Sequence, residues 1–328
     1  MINLCYTDSQ SGKIACVPRN LLNESSDLTN KWIKLDNPQN SEIEFVANKT
    51  GIQIDFLKAA LDEEERSRIE KEDGNLLILV DVPIVVEDEK KEYVTYSTIP
   101  LGIISNDKYF ITVCLKETPV LENFGKTNKQ KVDVTLRSRT TFQLLFQIST
   151  YYLIYLRQID KASQRNQLEL HKSLKNKELF ELLDIQNSLV YFSTSLRSNA
   201  VVIEKLNKSS VLLKKHEEDQ DIIEDVGIEN NQAIEMCNIY RDILSGTMDA
   251  YASVINNNLN NIMKILTSVT VIISIPTLIA SFFGMNLDGI PGNASYKGEH
   301  NWVFGLVVGI SLLITLAVAL IMKKKKLM

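Results

Sequence analysis

Seven side chains in the last quarter of this chain fall on a repeat suited to handling a cation. Asn260, Met263, Thr267, Thr270, Ser274, Thr277 and Ser281 recur at intervals of 3, 4, 3, 4, 3 and 4. That alternation is a heptad seam, so the side chains share one helix face. Ile265, Val269, Ile272, Ile273, Leu278 and Ile279 fall on the other faces. Hydroxyls and an amide on a single stripe offer oxygen without fixed charge, which suits a narrow, water-filled channel. Ser and Thr also occur where membrane helices approach closely. Five hydroxyls on one seam favour the wet wall, and Ser268, off the stripe, reads as packing.

Continued toward the N-terminus, the seam reaches Asn256, Ser253 and Asp249, then Gly246 and Asp242. Carboxylates below a pore concentrate cations at its mouth. Asp249 is expected to face that axis. For Asp242 a solvated helix face is an equal account.

These residues need a membrane around them, and two segments can cross one. Ile262 to Phe283 has Lys264 at its leading edge as its only charge, and Trp302 to Met322 has none. A helix of ~20 apolar residues spans a hydrocarbon core of ~30 Å. Lys323, Lys324, Lys325 and Lys326 follow the second span directly, and the positive-inside rule keeps such a cluster cytoplasmic. Two spans then return the N-terminal part to the same side, giving a multi-pass plasma-membrane protein with both termini cytoplasmic. The lysines read either as a topology anchor touching anionic lipid or as a positive collar that affects ion passage. Gly305 and Gly309 form a small-xxx-small pair that helix packing explains.

Ahead of the spans the chain reads as α plus β, with boundaries at 1–138 (α/β domain), 139–227 (helical, coiled-coil-like region) and 228–283 (stalk helix continuing as the first span). An outer loop at 284–301, a second span at 302–322 and a basic tail at 323–328 complete the chain. Leu76–Val86, Tyr93–Ile104 and Tyr109–Leu115 are rich in β-branched and aromatic residues and predict strands. Ser41–Thr50 predicts a short helix, and acidic Leu61–Ile69 also looks helical. From Arg139 to Gly227 no Gly or Pro intervenes, which predicts two or three long helices. Residues 228–283 at 1.5 Å per residue make a helix of roughly 84 Å, longer than a bilayer is thick.

Bulk composition removes other classes. Net charge is −5, with 36 basic and 41 acidic residues, which argues against a nucleic-acid surface. Met1 to Asn20 shows no secretory signal. Cys5, Cys16, Cys114 and Cys237 stand singly beside only three histidines, His171, His216 and His300. Reduced thiols in a cytosolic domain are therefore expected, with no disulfide or zinc framework. No P-loop, His/Cys ligand cluster or nucleophile elbow points to an enzyme or an organic cofactor. A membrane-anchored coiled-coil scaffold is the competing class, and it needs no hydroxyls along a membrane seam.

After the first span stands Phe282-Phe283-Gly284-Met285-Asn286. This resembles the Gly-Met-Asn signature of the CorA family of Mg²⁺ transporters, here between two C-terminal spans and ahead of a lysine tail. Asp55 to Arg66, and Trp32-Ile33-Lys34-Leu35 before Pro38, are similar to the family's N-terminal domain, so the resemblance covers almost the whole chain. It implies a funnel-shaped homopentamer in the lipid bilayer, with the first span lining the pore and the second forming an outer ring. It implies Mg²⁺ as both cargo and regulator, with Co²⁺, Ni²⁺ or Zn²⁺ as alternative cargoes. The signature Gly284, Met285 and Asn286 would form the outer ion entrance, where Asn286 is also a tolerated helix C-cap. Ungapped counting matches Asn260, Met263, Leu266, Thr270, Thr277 and Ser281 to pore-lining positions; Leu266 rests on the resemblance alone. The same counting places Asp225 at a regulatory metal site between subunits. Its partner carboxylate is not identified, since a solvated turn explains Glu87, Asp88 and Glu89 equally well. Where family loops carry Met-Pro-Glu-Leu, this chain has Ile290-Pro291-Gly292-Asn293, which weakens any outer ring of charge, although Asp288 lies nearby.

Overall fold

The computed structural model describes residues 2–7, 13–18, 27–87, 93–126, 131–172, 176–209, 212–213, 217–284 and 301–325. They divide into two compact units, Met1–Ser245 and Gly246–Met328.

The first unit is built on a seven-stranded sheet in the order β2-β1-β3-β7-β6-β5-β4. Its strands are β1 (Ile2–Thr7), β2 (Ile14–Pro18), β3 (Trp32–Asp36), β4 (Arg68–Glu72), β5 (Asn75–Val86), β6 (Thr95–Ser105) and β7 (Phe110–Cys114). All neighbours pair antiparallel except β3 and β7. That parallel pair brackets the insertion carrying α1 (Asn40–Thr50), α2 (Ile54–Lys58) and strands β4 to β6. Alternation along the strands decides which face each side chain joins. Ile33, Leu35, Leu77, Leu79, Ile111 and Val113 join Ile43, Val46 and Leu57 of α1 and α2 in one core. Trp32 points the other way. Its indole Nε1 donates to Thr112 Oγ1 at 2.8 Å, and its ring meets the edge of Phe124 at 5.5 Å.

The helices of the first unit begin where local signals say they should. Helix α1 opens on a capping box in which the Gln39 N–H donates to the Glu42 carboxylate at 2.9 Å. It closes at Gly51, whose φ of 71° is the left-handed conformation glycine tolerates. A short α3 (Pro119–Glu122) precedes two long helices, α4 (Arg137–Lys172) and α5 (Asn176–Lys208). These lie on the β5–β6 part of the sheet, where Tyr152 OH donates to Asp81 O at 3.1 Å and Ser195 Oγ donates to Thr98 Oγ1 at 2.9 Å.

Three expectations are corrected here. Residues 61–69 are not helical: a 3₁₀ turn ends at Leu61, and Arg68 opens β4. Asp73-Gly74, with φ of 49° and 78°, forms the two-residue turn that folds β4 back onto β5. The acidic stretch is a turn that leads into an edge strand. The long helix α6 runs from Glu217 to Phe283, through Gly227 rather than starting after it. Lastly, Cys5 and Cys16 are disulfide-bonded. The residues are remote by motif spacing, but the β1–β2 hairpin sets them directly opposite, with Cα atoms 4.0 Å apart.

The second unit contains the end of α6 and α7 (Asn301–Lys324). Both helices are long and apolar enough to cross a membrane. Pro276 sits inside α6 without ending it, as membrane helices tolerate.

Candidate functional site: the hydroxyl seam of α6

Residues 260 to 283 of α6 are helical throughout, so the 3-and-4 spacing puts the seam on one face. Asn260, Met263, Leu266, Thr267, Thr270, Ser274, Thr277 and Ser281 are all exposed. Thr270, Ile273, Ser274, Thr277, Leu278 and Ser281 line a shallow groove along it.

Four of the five seam hydroxyls donate locally. Thr270 Oγ1 donates to Leu266 O at 2.8 Å, Ser274 Oγ to Val271 O at 2.9 Å, Thr277 Oγ1 to Ile273 O at 3.0 Å and Ser281 Oγ to Thr277 O at 2.8 Å. A hydroxyl has one proton and two lone pairs. With the proton turned onto the helix backbone, the side of the oxygen left outward is an acceptor. A row of such oxygens can take hydrogen bonds from water, including water that surrounds a cation, while adding no charge.

A different face of α6 loses its accessibility. Between residues 260 and 284 it consists of Ser268, Ile272, Ile275, Pro276 and Ile279. On α7 the covered residues are Val307, Gly309, Ser311, Thr315, Val318, Ala319 and Met322. Ser268 is therefore a packing residue, as its off-seam position predicts. Ser311 is buried likewise, and nothing in the α7 sequence singled it out. The Gly305/Gly309 pair departs from expectation: a Cβ at either position would meet no atom within 4 Å. Close approach inside this chain does not require them.

The remaining site residues are more dispersed. Gly284 caps α6, its N–H donating to Ala280 O at 2.9 Å. Met285 and Asn286, with Asp288 and the rest of the 285–300 loop, lie outside the described residues, as do Asp88, Glu89 and Lys326. Asp249 and Asp225 are exposed on α6. Asp242 is also exposed and lies 3.6 Å from its neighbour Arg241, which fits the solvated-face account. Lys323 and Lys324 close α7, and Lys325 follows, all three exposed. Among the described residues no group of three or more His, Cys, Asp or Glu side chains is placed to hold a metal.

One polar cluster in the first unit carried no sequence signal. Asn199 Oδ1 accepts from the Asp81 N–H at 2.9 Å and from Ser67 Oγ at 3.1 Å, while Asn199 Nδ2 donates to Asp81 O at 2.8 Å. Burial pushes the Asp81 carboxyl above the usual range, against a smaller opposing pull from Ser195. The cluster couples α5 to β5 through residues far apart in sequence, so no local spacing announces it.

Residues 27–324 match the family model described as CorA-like Mg2+ transporter protein. A cobalt/magnesium transport protein CorA of Methanocaldococcus jannaschii is 29% identical over 273 residues, covering 79% of this chain and 81% of that one. A magnesium transport protein CorA of Campylobacter jejuni is 24% identical, covering 98% of each. The complete structure of the M. jannaschii CorA magnesium transporter superposes with a TM-score of 0.79 at 23% identity, covering 98% of this chain and 97% of that one. Fold and chain organisation thus agree from sheet to second apolar helix.

Proposed function

The chain belongs to the family of CorA-like Mg²⁺ transporter proteins, and on that premise we propose that it conducts Mg²⁺ through a pore on the axis of a homopentamer. The family makes it a divalent-cation transporter of the membrane. The finer reading rests above all on the exposed hydroxyl seam of α6, with its protons turned onto the backbone.

Mg²⁺ holds its waters tightly and demands octahedral oxygen geometry. A wall of neutral acceptors lets a hydrated ion pass without stripping it, since each oxygen hydrogen-bonds a water rather than the metal. Asn286, once per subunit, captures the ion at the outer entrance through amide oxygens. A carboxylate ring there would hold it longer and slow its departure. Asp249 draws ions at the cytoplasmic mouth, and both termini lie in the cytoplasm, a reading supported by the lysines at the end of α7.

The membrane potential supplies the force. At ~2.3 kcal/mol per charge per 100 mV, a divalent ion gains ~4.6 kcal/mol moving inward, enough for roughly a thousandfold accumulation. Such a gradient requires a gate. Exposed Asp225, facing carboxylates of a neighbouring copy, repels when bare and is bridged when Mg²⁺ binds. Internal Mg²⁺ then shuts the pore. Co²⁺, Ni²⁺ or Zn²⁺ would use the same path, and the M. jannaschii relative is described as a cobalt/magnesium transport protein.

Asn286→Ala tests the reading. Losing two or three hydrogen bonds of ~1 kcal/mol each predicts about a thirtyfold to hundredfold drop in Mg²⁺ uptake by liposomes, with oligomer size unchanged. Unchanged uptake in correctly assembled protein would leave the scaffold reading standing. Asp225→Ala is expected to leave the open flux intact and move closure to higher internal Mg²⁺.

A further inference from the structure

We propose that Cys5 and Cys16 form a thiol–disulfide exchange site, opened by a low-molecular-weight thiol of the glutathione type, that fastens or releases the edge strand β2. The proposal depends on neither the transported ion nor the pore.

The four cysteines fall into two chemical kinds. Cys114 and Cys237 are buried, and burial pushes their thiols up to about 12 and about 11. Each is also occupied: Cys114 Sγ donates to Pro100 O at 3.7 Å and Cys237 Sγ to Leu189 O at 3.1 Å. With so little thiolate at neutral pH they are poor partners for exchange. Cys5 and Cys16 are already joined, and they are unequal. Cys5 is wholly buried in β1, whereas Cys16 is exposed on β2. A thiol from solvent therefore reaches the bond from the Cys16 side.

The chemistry balances with two equivalents of that thiol. A thiolate RS⁻ attacks Cys16 Sγ, forming a mixed disulfide, and Cys5 leaves as thiolate and takes a proton from water. A second RS⁻ attacks the small-molecule sulfur of the mixed disulfide, releasing RSSR and the Cys16 thiolate. Two electrons pass from the small thiols to the protein pair, and oxidised RSSR reverses the sequence.

What the bond holds is specific. Among the described residues β2 is the outermost strand at its end of the sheet, paired only with β1. Ile14 at its start packs over Gly125, so tightly that a Cβ at Gly125 would lie 2.4 Å from Ile14 Cδ1. Opposite Ile14, Thr7 Oγ1 donates to Val132 O at 3.0 Å and accepts from the Val134 N–H at 3.2 Å. The hairpin end thus clasps the segment leading into α4. A five-residue edge strand is weakly specified in register, so reduction frees β2 first and, through Ile14, its packing over Gly125.

The test uses full-length protein in detergent, equilibrated in glutathione buffers from oxidising to reducing, then acid-quenched, denatured and labelled with a maleimide for intact-mass counting. Two labelled thiols are expected in oxidising buffer and four in reducing buffer, interconverting reversibly. Amide exchange over residues 14–18 should rise on the order of tenfold on reduction, with residues 75–86 unchanged. Cys16→Ser should show the fast exchange in every buffer, and Cys5→Ser should take up one glutathionyl group at Cys16. Two thiols in every buffer, four in every buffer, or equal exchange of β2 in both redox states would overturn the proposal.

Discussion

The two units of this chain satisfy their polar groups in opposite ways. In residues 1–245, side chains reach across the fold: Trp32 to Thr112, Ser195 to Thr98, Tyr152 to the backbone of Asp81. In residues 246–328 the hydroxyls of Thr270, Thr277 and Ser281 donate to their own helix, one turn back. The apolar side chains follow the same division. Trp32, Leu35 and Ile78 are sealed from solvent, while Ile273, Leu278 and Leu313 stand at least 60% exposed. A surface of that kind is stable in water only when something covers it, whereas lipid accepts it without cost. The division is one of degree, since Phe180 and Ile228 of the first unit are themselves 63% and 64% exposed. The two apolar helices of the second unit suit the membrane setting of the family.

The sharpest way to break that comparison is to delete a large side chain from each unit. Trp32→Ala removes a buried indole, its hydrogen bond and its contact with Phe124. It should cost ~3–5 kcal/mol, read as a lower urea midpoint in detergent-solubilised protein. Ile265 is 53% exposed, and Ile265→Ala should cost less than about 0.5 kcal/mol, as surface changes do. Comparable losses at both positions would mean that the second unit has a core of its own.

A second substitution pair sharpens the role of the hydroxyls. Thr270→Val with Thr277→Val keeps shape and deletes two outward oxygens per subunit. If those oxygens hold water around a passing ion, losing about 1 kcal/mol of hydrogen bonding should cut flux roughly fivefold to tenfold. Thr315 makes the same backward bond on α7, to Ser311 O at 2.7 Å, but is half-buried on the covered face. Thr315→Val should leave flux unchanged. Equal effects would demote the seam to packing.

The sequence was most legible where one helix does the work. Spacing alone put Thr270, Ser274, Thr277 and Ser281 on one face and Ser268 off it, because a helix fixes direction within a few residues. Strands β5, β6 and β7 were legible from their β-branched runs. Strands β1 to β3 were not read, since short edge and mixed segments take their identity from partners. Trp32–Asp36 becomes a strand by pairing with β7, some 80 residues away, and the Cys5–Cys16 bond exists only because β1 and β2 pair. The Asp81–Asn199 cluster is hidden for the same reason. Residues 61–69 misled because a charged turn leading into an edge strand has the composition of a helix, and the Asp73-Gly74 turn was the better signal.

The smallest expected effect concerns a charge that the first unit keeps half-buried. Asp81 has its carboxyl pushed up by burial, with the Ser195 hydroxyl pulling back less strongly. A carboxyl whose pKa is higher folded than unfolded prefers to be protonated in the folded state. Its contribution to stability is therefore full below the unfolded value, near 3.9, and is lost as pH rises through the folded value. At neutral pH the ionised group is a liability that Asp81→Asn removes. The substitution should raise stability at pH 7 by on the order of 1 kcal/mol, or roughly 2–4 °C in the melting of this unit. The gain should shrink as pH falls through the carboxylate range and vanish well below the unfolded value, where the carboxyl is neutral in both states. In residues 260–283 no acidic side chain exists to show such behaviour, and a gain that persisted at low pH would mean that packing, rather than charge, makes Asp81 costly.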